Sequence, residues 1–352
     1  MICKECSHMR YNWIKDRPDE PYCIGVKHPF KIEDINQECT EYFDGDQYTI
    51  PTWGNLDCLS STYIPPTFTM LVGIPGAGKS AYARERVHNN GTEIWLNSDN
   101  YREKLFGDAN CQDNPNLVFE HMRKDTIDLL NNGFDVIYDA TNVTRKNRHS
   151  ILSQLPKHVR KNCVIVWAPI DVCIERDKTR DRTVGKEVID KMLRRFEAPF
   201  YDEGFTNITV YVSGVHYNRA DYYAKAVAAM NIPHDNPHHT LNVMEHCYEC
   251  GKSLIGVGNS LVVKAGYMHD VGKPYTKEFK NTRGEETETA HYYGHNGVGA
   301  WISYGFSGHN ITLAWLISTH MAPFINQKYY ESLPKCYMDW IDALHKADKE
   351  AH

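Results

Sequence analysis

The chain has 352 residues, of which 41% are hydrophobic and 24% are charged, and its formal net charge is −6 at pH 7. These values are typical of a globular protein with two or three domains. The negative charge argues against a broad basic surface for duplex DNA, but it is compatible with a local basic groove for a strand end. No apolar run approaches the ~20 residues that span a bilayer, and the N-terminus lacks a signal peptide's apolar core. We therefore predict a cytoplasmic protein without a membrane partner.

The first 45 residues contain four cysteines and little apolar periodicity, so they lack an ordinary core. The four thiols, at Cys3, Cys6, Cys23 and Cys39, match a tetrahedral zinc site, whose binding energy would replace that core. Four thiolates also suit an iron–sulfur cluster, but we favour zinc. We predict a metal-binding module over residues 1–45 and a linker over residues 46–65, which mix Pro, Gly, Ser and Asp.

Residues 66–230 alternate short apolar runs with helical patterns. The apolar runs predict strands at Phe68–Val72, Glu93–Asn97, Asp135–Asp139, Cys163–Ala168 and Ile208–Val212, with helices near 79–89, 115–131, 145–154, 171–180 and 187–196. Strands that alternate with helices connect through right-handed crossovers into a parallel sheet covered on both faces. The sequence thus predicts an α/β domain over residues 66–230.

A glycine-rich segment follows the first of these strands. Residues 73–80 read GIPGAGKS, which matches G-x-x-x-x-G-K-[ST] between a strand and a helix. Backbone N–H groups of such a loop point at phosphate oxygens, the lysine reaches the β- and γ-phosphates, and the serine hydroxyl binds Mg²⁺. We predict a site for ATP or another nucleoside triphosphate with Mg²⁺, built from Gly73, Gly76, Ala77, Gly78, Lys79 and Ser80.

The second strand is followed by the segment NSDNYR, in which Asp99 and Arg102 stand three residues apart. A carboxylate at the carboxyl end of a parallel strand, beside a phosphate loop, is placed to take a proton from an acceptor hydroxyl. An arginine on the same helical face could hold a phosphate of the acceptor. The alternative is that Ser98 or Asp99 only caps a helix that carries Arg102. The spacing alone leaves both interpretations open.

Further charged groups follow the third and fourth strands. Asp139 ends the third strand and resembles an acid near the Mg²⁺ site, or alternatively contacts the acceptor. Arg176 and Arg180 belong to an arginine-rich segment that runs into a glycine-containing loop between two helices, as in a lid that neutralises a transferred phosphoryl group. A solvated charged face is the alternative. The order of these motifs along the chain favours the functional interpretation.

With these motifs, residues 68–200 resemble the kinase domain of phage and bacterial polynucleotide 5′-hydroxyl kinases. The resemblance implies that Asp99 is the general base, that Arg102 contacts the acceptor's 3′-phosphate, and that Asp139 is an active-site acid. It implies phosphate and Mg²⁺ contacts for Lys79 and Ser80 and lid roles for Arg176 and Arg180. The segment DR at 181–182 replaces an expected glycine-containing turn, which leaves open which lid arginine contacts ATP.

Beyond a break at residues 231–237, helical periodicity extends from residue 240 to residue 351 with no convincing strand. Histidines and aspartates recur at its helical junctions, a donor set that suits Mn, Fe, Co, Ni or Zn. The recurring residues are His239, His246, His269, Asp270, His291, His295, His320 and Asp348, and we predict a metal site among them. The pair Cys247 and Cys250 lies one helical turn apart, and we interpret it as buried free thiols and not as a metal site.

The same region resembles the HD phosphohydrolase superfamily, most specifically in its HDVGKP segment at 269–274. The resemblance assigns four residues to a mononuclear set, namely His246, His269, Asp270 and Asp348, and makes His295 and His320 the extra ligands of a binuclear site. It implies that one or two metal ions activate a water that attacks phosphorus. Lys273 would neutralise the phosphate, or alternatively it is a cation favoured at a helix C-terminus.

Together the resemblances imply an α/β P-loop kinase domain followed by an all-α HD domain over residues 231–352. The combined function would be end healing: phosphorylation of 5′-OH ends of RNA or DNA and hydrolysis of 3′-phosphate or 2′,3′-cyclic phosphate ends. Nucleic-acid ends are then the partners, with a ligase and a second copy of the chain as further candidates. The alternatives are a kinase of a nucleoside or modified DNA base with an HD nucleotide phosphohydrolase, and a nucleotide-gated binding module.

Overall fold

The computed structural model describes residues 65–351 except 91, 112, 181, 238, 239 and 258, together with the backbone of three short strands nearer the N-terminus. These strands are β1 (Met9–Tyr11), β2 (Pro21–Cys23) and β3 (Phe30–Lys31), which pair antiparallel in the order β1-β2-β3. The chain divides into two compact units, Met1–Pro65 and Pro66–His352. The predicted cysteine ligands, Cys3, Cys6, Cys23 and Cys39, have side chains outside the described residues, so the zinc module stays a prediction.

The second unit opens with a five-stranded parallel sheet in the order β5-β6-β4-β7-β8. Its strands are β4 (Thr67–Val72), β5 (Glu93–Asn97), β6 (Asp135–Asp139), β7 (Arg160–Trp167) and β8 (Asn207–Val212). Parallel pairing places Leu71 and Asn97 beside Asp139, so the ends of three strands meet at one edge. The five predicted strands are confirmed, and their apolar residues are mostly buried except in the edge strand β8, where Ile208 alone is buried.

Seven helices accompany the sheet: α1 (Lys79–Asn90), α2 (Ser98–Phe106), α3 (Pro115–Asn131), α4 (Arg145–Leu152), α5 (Ile170–Lys178), α6 (Lys186–Arg194) and α7 (Arg219–Ala229). Five of them lie where helical periodicity predicts them. The helical pattern does not predict the other two, α2 and α7. Polar residues dominate α2, and the many alanines of α7 weaken the contrast between its apolar and polar faces.

The rest of the unit is mainly helical, with α8 (Val243–Ser253), α9 (Ser260–Met268), α10 (His295–Phe306), α11 (Ile311–Thr319), α12 (Ala322–Ile325), α13 (Gln327–Glu331) and α14 (Lys335–Glu350). It also contains an antiparallel hairpin of β9 (Glu278–Lys280) and β10 (Glu286–His291), where the sequence had suggested no strand. Charged and threonine residues lie on both faces of this hairpin, so its sequence lacks the apolar alternation that predicts a strand. Among the described residues, no helical segment combines the length and the apolar character that crossing a lipid bilayer requires.

The sheet and the C-terminal helices share one core. Trp167, at the end of β7, donates from Nε1 to the carbonyl of Trp301 at 2.8 Å, and Trp301 donates back to the carbonyl of Ala168 at 3.1 Å. Phe200 stacks on Trp315 with ring centroids 4.4 Å apart. The segment near residue 231 is therefore a change of architecture within one compact unit, and the proposed domain limits at residues 230 and 231 stay predictions.

A close contact between α6 and the start of α10 leads to a stability prediction. Gly294 has a φ of 75°, and a Cβ there would overlap the carbonyl oxygen of Arg194. Gly284, in the β9–β10 turn, has a φ of 83° and open space around its missing Cβ. Gly284→Ala should therefore lower the free energy of unfolding by about 1 kcal/mol through backbone strain alone. Gly294→Ala should cost about 2 kcal/mol more because the backbones must also separate.

The measurement is chemical denaturation of both variants beside the unsubstituted protein. Equal losses of stability in Gly294→Ala and Gly284→Ala would show that the packing of Arg194 against residue 294 contributes little.

Candidate active sites

The phosphate loop is shaped by two left-handed glycines. Gly76 has a φ of 77° and Gly78 a φ of 98°, and a Cβ at either position would overlap a neighbour, the carbonyl of Cys173 or the side chain of Ser213. Lys79, the first residue of α1, donates from Nζ to the carbonyls of Gly73 at 2.9 Å and of Ile74 at 3.0 Å. Burial lowers the pKa of Lys79, and the nearby Asp139 carboxylate opposes that effect. The glycines therefore set the conformation of the loop, and the Lys79 side chain lies across it.

Asp139 lies at the end of β6 directly opposite this loop. Its Oδ2 accepts from Ser80 Oγ at 2.9 Å, Asn97 Nδ2 at 2.8 Å and Trp95 Nε1 at 3.1 Å. Only 2% of Asp139 is exposed, and burial raises its pKa while Lys79 acts in the opposite direction. A serine hydroxyl and a carboxylate are hard oxygen donors of the kind that Mg²⁺ prefers, so this pair fits a magnesium ion beside the phosphates.

The predicted base, Asp99, lies in the first turn of α2. The N-cap of this helix is Asn97, whose Oδ1 accepts from the backbone N–H of Asp99 at 2.7 Å, so neither Ser98 nor Asp99 caps the helix. The Asp99 side chain is 38% exposed and forms an ion pair with Arg102 at 2.7 Å. A second ion pair joins Asp99 to Arg182. The carboxylate is thus free of the capping role and is held by two guanidinium groups.

The predicted lid arginines have different partners. Arg176 donates from Nη2 to the carbonyls of Ser213 at 2.8 Å and Gly214 at 3.3 Å. Arg180 lies 3.5 Å from Asp177, a buried carboxylate that also accepts from the backbone N–H groups of residues 184 and 185. Arg182, which the sequence had shown only as a departure from a family pattern, is the lid residue that reaches Asp99. Nothing local in the sequence indicates this contact, since 83 positions separate the two residues.

These groups line one cavity of about 840 Å³. It contains the phosphate loop, both predicted acids and six basic side chains, from Lys79, Arg84, Arg102, Arg176, Arg180 and Arg182. A cavity of this size accommodates a nucleotide together with part of an acceptor. The charges and acids are arranged for transfer of a phosphoryl group.

The second candidate site collects the predicted histidine and aspartate ligands. The structure brings together all six, from the ends or first turns of five helices: His246, His269, Asp270, His295, His320 and Asp348. Their ligand atoms fall into two groups, within each of which all atoms lie within 4.8 Å of one another. The first group contains His246, His269, Asp270 and Asp348, the second contains Asp270, His295 and His320, and Asp270 belongs to both.

Each histidine of the cluster is oriented by a hydrogen bond on its outer nitrogen. The Nδ1 atoms of His246, His269, His295 and His320 lie 2.7–2.9 Å from backbone carbonyl oxygens. The Nε2 atoms face inward: that of His246 lies 2.8 Å from Asp348 Oδ1, and those of His295 and His320 lie 3.2 Å apart. A carbonyl that fixes one ring nitrogen leaves the other as a metal ligand. This donor set fits one or two divalent transition-metal ions.

Charges within the cluster keep its carboxylates ionised. Burial alone would raise the pKa of Asp270, but Lys273 and His269 hold it well below its ordinary value. Burial lowers the pKa of His320 to about 3, with His295 contributing, so this imidazole is neutral and available as a ligand at pH 7. Burial would lower the pKa of His269, but Asp270 raises it well above its ordinary value, so this imidazole would release a proton when metal binds.

A further histidine, His234, joins this site although the sequence had placed it in the chain break. Its Nε2 lies 3.2 Å from Lys273 Nζ, and its ring centroid lies 5.4 Å from that of His246. Lys273 is itself buried and lies 2.6 Å from Asp270 Oδ2. Burial, with a smaller contribution from Lys273, lowers the pKa of His234 to about 4. Lys273 is thus a buried member of the polar cluster.

The predicted buried thiols are also found. Cys247 and Cys250 are both free and buried in α8, and neither belongs to a metal-ligand group of the described residues. Cys163 and Cys173, within the sheet region, are likewise free and buried.

Comparisons with known proteins match both regions. Residues 68–199 match the family described as AAA domain, and residues 238–347 match the family described as HD domain. A curated relative, the L-seryl-tRNA(Sec) kinase of Methanococcus maripaludis, is 27% identical over 141 residues, which are 37% of this chain and 52% of that protein. The chain thus spans about half the length of this relative.

Three solved structures resemble parts of the chain. The first, titled as a Pnkp1/Rnl/Hen1 complex, shares 25% identity over 36% of this chain and 44% of its own, with a TM-score of 0.32. A fungal RNA kinase shares 14% identity over 44% of this chain and 78% of its own, with a TM-score of 0.33. A gluconokinase from Sinorhizobium meliloti 1021 shares 15% identity over 44% of this chain and 86% of its own, with a TM-score of 0.32.

The family matches agree with the two sites that the structure builds. The region with the phosphate loop, Asp99 and the lid is the one that matches the AAA domain, and the metal-ligand cluster falls in the match to the HD domain apart from Asp348, one residue beyond it. The chain combines in one polypeptide a P-loop kinase domain of the AAA domain family and an HD domain.

Proposed function

We propose that this protein heals nucleic-acid ends: it phosphorylates 5′-OH ends with ATP and removes phosphate from 3′-phosphate or 2′,3′-cyclic phosphate ends. The observation that carries the proposal is that six basic side chains line the cavity that contains Asp99, in a chain whose net charge is −6. ATP accounts for some of these cations. Those nearest Asp99, Arg102 and Arg182, favour an acceptor that carries phosphate of its own.

In the kinase reaction, Asp99 would orient the 5′-hydroxyl and accept its proton. Lys79 and the loop N–H groups would hold the β- and γ-phosphates, and Ser80 with Asp139 would hold Mg²⁺. Arg102 would bind the phosphate next to the accepting hydroxyl through its planar fork. Arg176 and Arg180 line the same cavity and would neutralise charge on the transferred group.

In the hydrolase reaction, the six ligands would hold one or two divalent metal ions. Metal bound there would lower the pKa of a coordinated water and polarise the phosphoryl group. Asp270 belongs to both ligand groups and would be a ligand in each. Lys273, 2.6 Å from Asp270, would place a positive charge beside the phosphate. Together the two activities would prepare both ends of a break for a ligase.

A second candidate function follows from the curated relative. The printed name of that protein describes a kinase of a seryl group carried by tRNA, and the shared stretch is 27% identical over 141 residues. By this analogy the acceptor hydroxyl would belong to a group attached to RNA and not to its 5′ end. A nucleoside or modified-base acceptor is a third candidate, and a binding module without turnover is a fourth.

One assay separates these functions. The protein is incubated with ATP labelled at the γ-phosphate and, separately, a 5′-OH oligonucleotide, the same oligonucleotide bearing a 5′-phosphate, seryl-tRNA, and mixed nucleosides. End healing requires label on the first substrate and none on its 5′-phosphorylated control. Label confined to seryl-tRNA or to nucleosides would identify the acceptor of a different kinase, and no transfer to any of them would favour the binding module.

Acceptor choice provides a further prediction. A 3′-nucleoside monophosphate should be phosphorylated more efficiently than the unphosphorylated nucleoside, because Arg102 can form a charge-assisted hydrogen bond with its phosphate. Such a bond contributes about 2 kcal/mol, so kcat/KM should differ by roughly 30-fold. Arg102→Met should remove most of this preference. If Arg102→Met prefers the 3′-nucleoside monophosphate as strongly as the unsubstituted protein does, another residue contacts the phosphate.

The contact of Arg182 with Asp99 leads to a prediction about the lid. Arg182→Ala should lower kcat for phosphoryl transfer about tenfold or more, because Asp99 loses one of the two groups that position it. The KM for ATP should change less. Lys178→Ala is the matched control, since Lys178 lies at the end of α5, is exposed and pairs with the exposed Glu175. A similar loss of kcat in Arg182→Ala and Lys178→Ala would show that the loss results from removing a positive charge and not from losing the contact with Asp99.

A further inference from the structure

The metal-ligand cluster opens to solvent on one side. Five of its six residues are buried, whereas the side chain of Asp348 is 22% exposed. Asp348 lies on α14, so the C-terminal part of this helix borders the exposed side of the cluster. The residues beside Asp348 therefore form the rim that a substrate meets first.

Two residues of α14 and one of α12 form this rim. His345 lies one helical turn before Asp348, and Phe324 of α12 meets its ring edge-on with centroids 4.6 Å apart. Lys349 follows Asp348, and its Nζ lies 6.0 Å from the Phe324 ring centroid. The helix α12 begins two residues after the ligand His320, so Phe324 is connected to the cluster by a short segment as well as by contact.

Phe324 is an aromatic side chain that presents much of its surface to solvent. It is 57% exposed, and the neighbouring Ile325 is 65% exposed. His345 covers one part of the ring and Lys349 stands over it, so the ring is held in place while an open surface remains. A flat ring fixed beside a cation is the arrangement that nucleic-acid-binding proteins use to stack a base and hold the adjoining phosphate.

We propose that Phe324 is a stacking platform for the base of the nucleotide whose phosphate is hydrolysed at the metal-ligand cluster, with Lys349 contacting the strand's backbone phosphate. This inference rests on the proposed 3′-end hydrolase function and adds a specificity determinant to it. A stacking platform accepts any base, because each base has a π-face. The hydrolase is therefore selective for nucleotide ends over other phosphate esters, without a strong preference for sequence.

The test compares two 3′-phosphate oligonucleotides that differ only in the terminal nucleotide, which is normal in one and abasic in the other. The unsubstituted protein with its metal bound should have a kcat/KM about 5- to 160-fold higher on the normal end, the range expected for loss of one base–aromatic stack. Phe324→Ala should lower kcat/KM on the normal end by a similar factor and leave the abasic end unchanged. Phe324→Trp should restore the preference.

Ile325→Ala is the matched control, since Ile325 is the exposed neighbour on the same helix and lacks a ring. It should leave both rates unchanged. Metal content, measured for each variant, should equal that of the unsubstituted protein. Equal rates on the two ends, or an equal loss on both in Phe324→Ala, would overturn the platform alone. If the unsubstituted protein hydrolyses neither oligonucleotide but does hydrolyse a simple phosphate monoester, the proposed function is overturned together with the platform.

Discussion

Asp99→Ala is expected to lower phosphoryl transfer by about 10²- to 10⁴-fold while ATP binding remains nearly unchanged. Asp99 forms ion pairs with Arg102 and Arg182 and not with the phosphate-loop lysine, and in the proposed reaction it faces the acceptor. Its removal therefore takes away the proton acceptor and leaves the phosphate loop intact. Single-turnover transfer to a 5′-OH oligonucleotide and equilibrium binding of ATP measure the two effects separately.

Lys79→Ala is the informative contrast. The Lys79 charge serves both bound ATP and the transition state, so this variant should lose binding and transfer together. Asp99→Asn, which keeps the shape of the side chain, should resemble Asp99→Ala if proton transfer is the role. Survival of most activity in Asp99→Ala, or loss of ATP binding, would remove Asp99 from the catalytic assignment.

Asp270→Ala is expected to eliminate hydrolase activity and most of the bound transition metal while the kinase remains active. Asp270 Oδ2 lies 3.3 Å from His269 Nε2 and Oδ1 lies 3.3 Å from His295 Nε2, so one substitution removes a ligand from both groups. It also leaves Lys273 buried without its partner, which disfavours metal further. The loss of metal affinity should exceed the 10–100-fold that loss of an outer-shell partner costs.

Elemental analysis, 3′-phosphatase rates and 5′-kinase rates of the same preparation test this prediction. Asp339→Ala is the matched control, because Asp339 is an exposed carboxylate of α14 that pairs with Lys335. Because the sheet and the C-terminal helices share one core, a variant that loses stability would also lose kinase activity. The unfolding of each variant is therefore measured in parallel. A kinase that is lost along with the hydrolase in a folded Asp270→Ala protein would show that the two sites depend on each other.

Local sequence patterns are sufficient to predict the strands and the loop that carry the candidate catalytic residues. Buried apolar runs predict all five parallel strands, and the glycine-rich loop predicts the phosphate site because its function depends on contiguous backbone. Asp139 could be placed near the loop because parallel strands end at a common edge of a sheet. Histidines and aspartates at helical junctions predict a metal site, and the resemblance to HD phosphohydrolases selects its six ligands from them.

The groups that the sequence did not reveal are those whose roles depend on distant partners. Arg182 reaches Asp99 across 83 positions, and His234 reaches Lys273 across 39. Neither residue belongs to a periodic pattern, and each looks like an ordinary polar residue of a loop. The sequence does not predict the hairpin of β9 and β10 for a related reason: its residues are mostly polar, so apolar and polar residues do not alternate along its strands.

The sequence by itself determined which chemistry is present: a phosphate loop, two acids that follow parallel strands, and a set of imidazole and carboxylate donors. Only the tertiary structure decided that Asp270 belongs to both ligand groups and that Arg182 holds Asp99. It also decided that the sheet and the C-terminal helices share one core through Trp167 and Trp301. The physical reason is that periodicity reports that a face is buried, whereas its partner is chosen by packing between segments far apart in the chain.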